Sequence, residues 1–267
     1  MKLNSRFAVT TSRRPLSKQM DSARRIAGEL KFPFIHRNEL SLEDFLKKYF
    51  IDGIVVVSRQ RISCIYKGQE FFFHPGMARL RIMELINGKT DPMIKAMSLQ
   101  SGESVLDCTM GLGNDVIVAS FVSGVKGKVT GLESSILIST LVRYGLSSFP
   151  ETKKDLALAM RRVEVINTDY NEYLANLPPR SYDVIYFDPM FRNPVNHSPA
   201  INAVRFLANP EPVDRHAVEL ASRAAVKKVI MKERRGSTEF ERLGFRTVMG
   251  GKYAPVVYGV IDLQGSM

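Results

Sequence analysis

The stretch VLDCTMGLGND, residues 105–115, constrains the fold of this chain more than any other. An apolar run ends there in Asp107, and Gly111 and Gly113 then allow the backbone to turn close to a bound molecule. From Asn114 onward, the apolar residues of NDVIVASFV recur at helical spacing. The stretch therefore predicts a strand, a glycine loop and a helix that together bind a ligand.

The glycine spacing distinguishes two kinds of ligand. A dinucleotide-binding loop needs a third small residue three positions after its second glycine, where helix and strand pack closely, and this chain has Val116 there. The carboxylate of Asp107 would also repel a pyrophosphate, whereas it suits an amino group or a cation. These features resemble motif I of the S-adenosylmethionine (SAM)-dependent methyltransferases, which have a Rossmann-like fold. They argue against the alternative of a nucleotide-dependent oxidoreductase.

Two more acidic residues follow predicted strands. The segment KVTGLES ends its strand at Glu133, twenty residues beyond Gly113, and this spacing fits one strand–helix–strand step. An acid at the tip of the second strand binds ribose hydroxyls in Rossmann-like folds. The segment VEVINTDY predicts a third strand, after which Asp169 could accept a hydrogen bond from an adenine amino group.

The segment YDVIYFDPMF, residues 182–191, predicts a buried strand that ends in a reactive tip. The carboxylate of Asp188 and the backbone carbonyl of Pro189 can accept both hydrogens of a planar amine, which turns the nitrogen lone pair toward a methyl donor. Phe191 can stack on the base that carries the amine. The segment resembles motif IV of amino-methylating methyltransferases, with Met190 in place of the second proline. We therefore predict that Asp188, Pro189 and Phe191 are catalytic.

Four segments in order, LDCTMGLGNDVIVAS, LESSILISTLVRYGL, YFDPMF and KKVIMK, resemble the bacterial small-subunit ribosomal RNA guanine-N2 methyltransferases and their less characterised relatives. The resemblance covers about residues 70–235. It implies SAM as cofactor, an α/β fold with a seven-stranded Rossmann-like sheet and helices on both faces, and cofactor contacts at Asn114, Asp115, Glu133, Ser134, Asp169, Tyr170 and Asp188. With Asp107, Gly111 and Gly113 of the glycine loop, these residues form the predicted cofactor site.

The same resemblance has one departure, which concerns the substrate. After DPMF the family usually continues with a proline and a basic cluster, whereas this chain has RNPVNHSPAIN, residues 192–202. Guanine N2 of 16S ribosomal RNA is the favoured target. Adenine N6 in nucleic acid and a protein glutamine amide stay open, since the same strand tip can hold any planar amine, and so does a catalytically silent RNA-binding protein.

The positive charge of the chain is concentrated near its start. Of the net charge of +11, the first hundred residues contribute +9, from 18 Lys and Arg against 9 Asp and Glu. Such a basic segment beside a cofactor domain suggests a polyanionic partner, with RNA favoured. We predict that one face of this segment contacts RNA phosphates through Arg13, Arg14, Lys18, Arg24 and Arg25.

The order of predicted elements divides the chain into two domains. Residues 1–88 predict a small basic α/β module, with helices at 15–30 and 42–50 and strands at 7–12, 32–36, 54–57, 62–66 and 70–73. Residues 89–267 predict the methyltransferase domain. Its fifth strand ends at Lys232, which either meets an RNA phosphate or is solvated.

Some classes of protein are disfavoured by composition. No apolar run reaches about 18 residues, and the start of the chain lacks the features of a secretory signal, so we expect a cytoplasmic protein. Cys64 and Cys108 do not have metal-ligand spacing, and the four histidines are scattered. We therefore expect neither a disulfide framework nor a structural metal.

Overall fold

A computed structural model describes residues 6–189, 207 and 211–264, which form two compact units. The first unit contains residues 6–74 and Ser135–Phe149, and the second contains Pro75–Ser134, 150–189 and 211–264. Along the chain the first unit is first left between His74 and Pro75, and a domain boundary at residue 88 stays a prediction. Phe191 and the loop at 192–202 lie outside the described residues.

The first unit contains a four-stranded sheet in the order β1-β2-β3-β4. Strand β1 is parallel to β2, and the other two pairs are antiparallel. The predicted strand at 32–36 is reduced to one parallel bridge between Phe34 and Val9, because Pro33 has no backbone N–H to donate to a ladder. The strands are β1 (Phe7–Thr11), β2 (Gly53–Val57), β3 (Ile62–Tyr66) and β4 (Gln69–Phe72).

Among the described residues, three helices belong to the first unit: α1 (Ser17–Leu30), α2 (Leu42–Tyr49) and α6 (Ile136–Ser148). Helix α2 begins where Ser41 accepts a hydrogen bond from the Asp44 N–H. Its Phe45 is buried against Ile54 of β2. Helix α6 is joined to α1 by Glu29, which binds the guanidinium of Arg143 and the hydroxyl of Tyr144.

The second unit contains a seven-stranded sheet in the order β7-β6-β5-β8-β9-β11-β10. The first five of these strands are parallel, and β11 is antiparallel to both β9 and β10. This confirms the predicted Rossmann-like methyltransferase sheet. The strands are β5 (Ser104–Asp107), β6 (Lys128–Glu133), β7 (Val163–Asn167), β8 (Tyr182–Phe187), β9 (Ala225–Arg234), β10 (Thr247–Met249) and β11 (Val256–Asp262).

Helices cover both faces of this sheet. One face packs against α8, α9 and α10 through alternate residues of the central strands, such as Leu106, Ile185 and Met231. The other face packs against α4 and α5. Within the described part of the chain, no helix is long and apolar enough to cross a membrane. The helices are α3 (Gly76–Ile86), α4 (Pro92–Met97), α5 (Asn114–Ser123), α7 (Lys154–Arg162), α8 (Tyr170–Asn176), α9 (Arg215–Ala224) and α10 (Glu239–Leu243).

The register of the parallel strands brings the predicted acidic residues to one edge of the sheet. Asp107 at the end of β5 lies opposite Tyr186 of β8. Glu133 at the end of β6 lies opposite Asn167 of β7. Ligands bind at the carboxyl edge in open α/β sheets, and this edge is therefore the candidate site.

Candidate active site

The glycine loop after β5 has the conformation that its sequence predicts. Gly111 has φ +52°, and Gly113, which precedes the first residue of α5, has φ +80°. Side chains are strained in this left-handed region, so glycine is favoured at both positions. The loop is held against the next strand because the Met110 N–H donates to the Leu132 carbonyl at 2.9 Å.

Asp107 provides a buried acid beneath this loop. It is 2% exposed, and its carboxylate accepts a hydrogen bond from the Thr109 N–H at 2.9 Å. Burial raises the pKa of Asp107 well above its usual value, and the charges of Asp115 and Asp188 raise it further. A cationic group bound beside Asp107 would lower this pKa and restore the carboxylate. The position therefore suits a positively charged ligand.

The turn after β6 is fixed by Asn167, a residue whose role the sequence did not reveal. Its side-chain amide donates to the carbonyls of Glu133 at 2.7 Å and Ser134 at 3.1 Å. The Thr168 N–H also donates to the Glu133 carbonyl. Glu133 is 7% exposed, so this predicted ribose ligand is a largely buried acid held on a rigid turn.

Asp169 and Tyr170 lie at the start of α8, two and three residues beyond the end of β7. The Asp169 carboxylate caps this helix by accepting a hydrogen bond from the Asn171 N–H at 2.8 Å. The Tyr170 ring packs edge-on against Phe187 with centroids 5.7 Å apart. Burial, assisted by the charge of Asp169, raises the pKa of Tyr170 to about 12, which keeps its hydroxyl neutral.

Lys232 lies between two carboxylates, two residues before the end of β9. Its Nζ is 2.7 Å from Oδ2 of Asp188 and 3.3 Å from Oδ2 of Asp115. Its side chain is 23% exposed. The suggestion that Lys232 is merely solvated was wrong, because both carboxylates pair with it, whereas a contact with RNA stays a prediction. Strand β9 is parallel to β8, and Met231 lies opposite Phe187, so the next residues along each strand, Lys232 and Asp188, are neighbours. Lys232 is instead part of the site.

The three charges of this group have different protonation behaviour. Burial would lower the pKa of Lys232, but Asp115 and Asp188 raise it, so the ammonium persists. Burial would raise the pKa of Asp115, but Lys232 and Arg81 hold it below the usual range. Burial raises the pKa of Asp188 to about 6, against the opposing effect of Lys232. Asp188 is therefore the member that titrates near neutral pH.

Asp115 joins this group to helix α3. Its carboxylate pairs with Arg81 and accepts a hydrogen bond from the Tyr186 hydroxyl at 2.9 Å. Arg81 also forms two hydrogen bonds with the Asp91 carboxylate, at 2.7 and 3.0 Å. The resemblance assigned Asp115 to the cofactor, but these bonds favour a role in positioning Lys232 and α3. They also account for the place of α3 in the second unit.

Asn114 has a similar attachment. Its Oδ1 accepts a hydrogen bond from the Ala78 N–H in the first turn of α3, at 3.1 Å. This side-chain oxygen therefore attaches Asn114 to helix α3. A contact between Asn114 and the cofactor stays a prediction, and the other polar groups of Asn114 would have to make it.

The reactive strand tip is tied to the glycine loop. The Asp188 N–H donates to Oγ1 of Thr109 at 2.5 Å, which couples the two predicted motifs directly. Pro189 follows in the described chain, whereas the predicted stacking residue Phe191 lies beyond it. Thr109 was not predicted as a site residue, although it stands within the glycine loop motif.

A Rossmann-like sheet with this glycine loop, a ribose-type acid on the second strand and an Asp-Pro tip on the fourth defines a SAM-dependent methyltransferase. A family model described as "Putative SAM-dependent methyltransferase" matches residues 71–249. The chain belongs to this family, and its cofactor is SAM.

Several known proteins are similar to this chain. The uncharacterized protein YpiP of Bacillus subtilis is 41% identical, over 95% of this chain and 98% of its own length. The ribosomal RNA small subunit methyltransferase J of Psychrobacter cryohalolentis is 25% identical, over 66% of this chain and 62% of its own. The methyltransferase J of Cellvibrio japonicus is 35% identical, over 39% of this chain and 41% of its own length. The chain thus matches less than two thirds of the length of these two methyltransferases.

A solved structure shows the same fold. The crystal structure of a SAM-dependent methyltransferase from Neisseria gonorrhoeae superposes with a TM-score of 0.65 and 15% identity, over 97% of both chains. This agreement extends to the fold alone.

Proposed function

We propose that this methyltransferase acts on an exocyclic amino group of a base in RNA, with guanine N2 of 16S ribosomal RNA as the favoured target. One observation carries the proposal: Asp188 stands at the end of a buried strand, with its N–H bonded to the glycine loop and its carboxylate bonded to Lys232. An acceptor held in this way can orient an amine without a strong base.

The residues of the cofactor site fit SAM by their charge and conformation. Asp107 is a buried acid that favours a cationic amino group, and Gly111 and Gly113 permit close approach of the backbone. Glu133 would accept hydrogen bonds from ribose hydroxyls, and Asp169 from the adenine amino group. When bound, SAM supplies an electrophilic methyl group on a sulfonium.

The chain's own residues would orient the amine and accept its proton. The Asp188 carboxylate and the Pro189 carbonyl accept the two N–H groups, so the nitrogen lone pair faces the methyl donor. When the nitrogen has taken the methyl group it carries a positive charge and is more acidic. Asp188, with its pKa near 6, is suited to receive the proton that this nitrogen loses. Phe191 is assigned to stack on the base. Lys232 keeps Asp188 in place throughout.

Two observations support RNA as the substrate. The first hundred residues carry most of the net positive charge, and two of the similar proteins are named ribosomal RNA small subunit methyltransferase J. Within the basic face, the Arg24 guanidinium lies over the Phe34 ring and that of Arg25 over the Tyr144 ring. A cytoplasmic location accords with this substrate and stays a prediction.

Nucleoside mass spectrometry tests the proposal. Ribosomal RNA from cells with and without the gene would be digested and compared, and RNA from the deletion strain would then be incubated with the purified protein and labelled SAM. We expect one N2-methylguanine to be absent in the deletion strain and restored in vitro. N6-methyladenine that depends on the gene would replace the favoured target. RNA binding without any methylation would identify a silent protein of this fold.

A further inference from the structure

Three segments of the first unit run parallel and leave the four-stranded sheet at the same edge. The Ser12 N–H, just past β1, donates to the Val57 carbonyl at the end of β2, at 3.0 Å. On the other side of β1, the Ile35 N–H donates to the Val9 carbonyl at 2.9 Å. The hydroxyl of Thr10 donates to the Ile35 carbonyl at 2.7 Å. The chain therefore emerges at neighbouring points after β1, β2 and Ile35.

Each of these three exits carries arginine. Arg13 and Arg14 follow β1, Arg37 follows Ile35, and Arg59 follows β2. We call these four residues the arginine edge. Neighbouring strands lie about 4.8 Å apart, so three exits span about 10 Å. That distance is wider than one phosphate group, and the edge therefore suits a ligand with several negative charges.

Two charges of the arginine edge, those of Arg13 and Arg37, are close enough to interact, and three of its four side chains are exposed. The Arg37 Nε donates to the Leu40 carbonyl at 2.9 Å, which fixes this side chain. Burial lowers the pKa of Arg37, and the positive charge of Arg13 lowers it further, so these two guanidinium groups repel each other. Arg13, Arg14 and Arg59 are exposed.

Other arginines of the same unit are neutralised by carboxylates. Arg61 pairs with Glu70 at 3.1 Å, and Arg143 pairs with Glu29 at 2.8 Å. In the described ranges, 6–189 and 211–264, no carboxylate forms an ion pair with a member of the arginine edge. Glu39 is the nearest acid along the chain, two residues after Arg37. Four cations at neighbouring chain exits with this little neutralisation favour a polyanion.

We infer that the arginine edge binds consecutive phosphates of the RNA substrate. The inference rests on the proposed function and deepens it, because it names the surface that holds the RNA. Guanidinium groups form paired hydrogen bonds with phosphate oxygens, and phosphate contacts set the position of a nucleic acid without reading its sequence. The basic face predicted from the sequence included Arg13 and Arg14 but not Arg37 or Arg59.

A charge-matched pair of variants tests this inference. The first variant replaces Arg13, Arg14, Arg37 and Arg59 by alanine in the full chain. The control replaces four lysines at the opposite edge of the same sheet by alanine: Lys31, Lys47, Lys48 and Lys67. The first three come shortly before the parallel segments begin, and Lys67 lies in the turn between β3 and β4. Both variants lose four formal positive charges, so the change in formal net charge is equal, although Lys47 of the control pairs with Glu43 at 2.7 Å.

Binding would be measured by fluorescence anisotropy with a labelled 20-nucleotide RNA hairpin, between 50 and 300 mM KCl. We expect the arginine variant to bind at least tenfold more weakly at 100 mM KCl, with a salt slope reduced by about 3. The lysine control should change the slope by less than about 1. SAM affinity should be unchanged in both, and the melting temperature reports whether each variant is folded.

The outcomes separate the two proposals. Absence of RNA binding by the parent protein would remove the proposed substrate and, with it, this inference. If the parent binds RNA and the arginine variant retains its affinity and slope, only the arginine edge is rejected. Equal weakening by both variants would also reject it, since the effect would then be one of overall charge.

Discussion

In both units of this protein, parallel strand pairing brings charged residues to one edge of a sheet, but the charges have opposite signs. In the second unit, Asp107, Glu133 and Asp188 stand at the carboxyl edge of parallel strands. In the first unit, the carboxyl edge of the parallel segments carries the arginine edge. In both sheets, parallel pairing brings residues from distant parts of the sequence to one side. The residue that follows each strand then decides which ligand is attracted.

The two edges differ most in burial. Asp107 and Glu133 are 2% and 7% exposed, so their interactions with a cationic or hydroxyl-bearing ligand are little screened by salt. Arg13, Arg14 and Arg59 are exposed, so their interactions with phosphate depend strongly on salt. The comparison suggests one edge built for a tightly held cofactor and one built for a polyanion that must be released.

The largest effect on activity is expected at Asp188, which belongs with Asp107 and Glu133 to the acidic edge of the second unit. Asp188→Ala removes one acceptor for the amine, and we expect the rate of methyl transfer to fall by about 100-fold or more. Asp188→Asn should be milder, because its amide oxygen still accepts a hydrogen bond. Single-turnover assays on RNA from the deletion strain measure this step. Transfer at the parent rate by a folded Asp188→Ala variant would show that this tip does not bind the amine.

The next effect is expected on cofactor affinity. Glu133→Ala leaves the ribose hydroxyls without an acceptor. We expect the binding free energy of SAM to weaken by about 1 to 3 kcal/mol, which raises its Kd by about 5- to 150-fold. Glu133→Gln is the matched control, since it keeps one acceptor oxygen and should lose less. Calorimetry measures both. An unchanged Kd for the alanine variant would remove Glu133 from the site.

A smaller effect that depends on pH is expected from Lys232. The amine needs the Asp188 carboxylate, whose pKa is raised to about 6 by burial, so the parent rate should fall as the pH drops below about 6. Lys232→Met removes the opposing positive charge and raises this pKa further. The acidic limb should therefore move to higher pH, with a loss of about tenfold near pH 6.5 that shrinks toward pH 8.

The control for this experiment is Lys232→Arg, which keeps the charge and should keep the limb near its parent position. Single-turnover rates between pH 5 and 9 give the profiles, and melting temperatures report whether each variant is folded. A Lys232→Met profile that is lower at every pH by the same factor would mean that Lys232 does not set the protonation of Asp188.

The smallest effect is expected on the salt dependence of RNA binding, where an unpaired and a paired arginine of the described first unit can be compared. Arg59→Ala removes an exposed charge without a carboxylate partner in the described chain and should reduce the salt slope of RNA binding by about 1. Arg61→Ala, two residues away, removes a charge that Glu70 neutralises, at 3.1 Å. Its slope should change by less than about half as much. A reversed order in anisotropy titrations would contradict the assignment of the arginine edge.

Much of the fold and of the acidic edge could be predicted from local sequence. The apolar runs and helical spacings predict individual strands and helices, while the seven-stranded sheet was implied by the family resemblance. Gly111 and Gly113 predict a turn that only glycine adopts freely. The acids Asp107 and Glu133 lie at their strand ends as the motifs indicate. These features follow from the sequence by itself because they depend on neighbouring residues and on a well-defined backbone preference.

Only the tertiary structure decided which partners these residues meet. Lys232 pairs with Asp188 across 44 positions, and Asp115 pairs with Arg81 across 34. Likewise, Arg13, Arg37 and Arg59 come from three separate segments. Such contacts depend on the order and direction of strands, which no local pattern specifies. Strand pairing decides them because it sets which chain ends are neighbours, and burial then sets how strongly their charges interact.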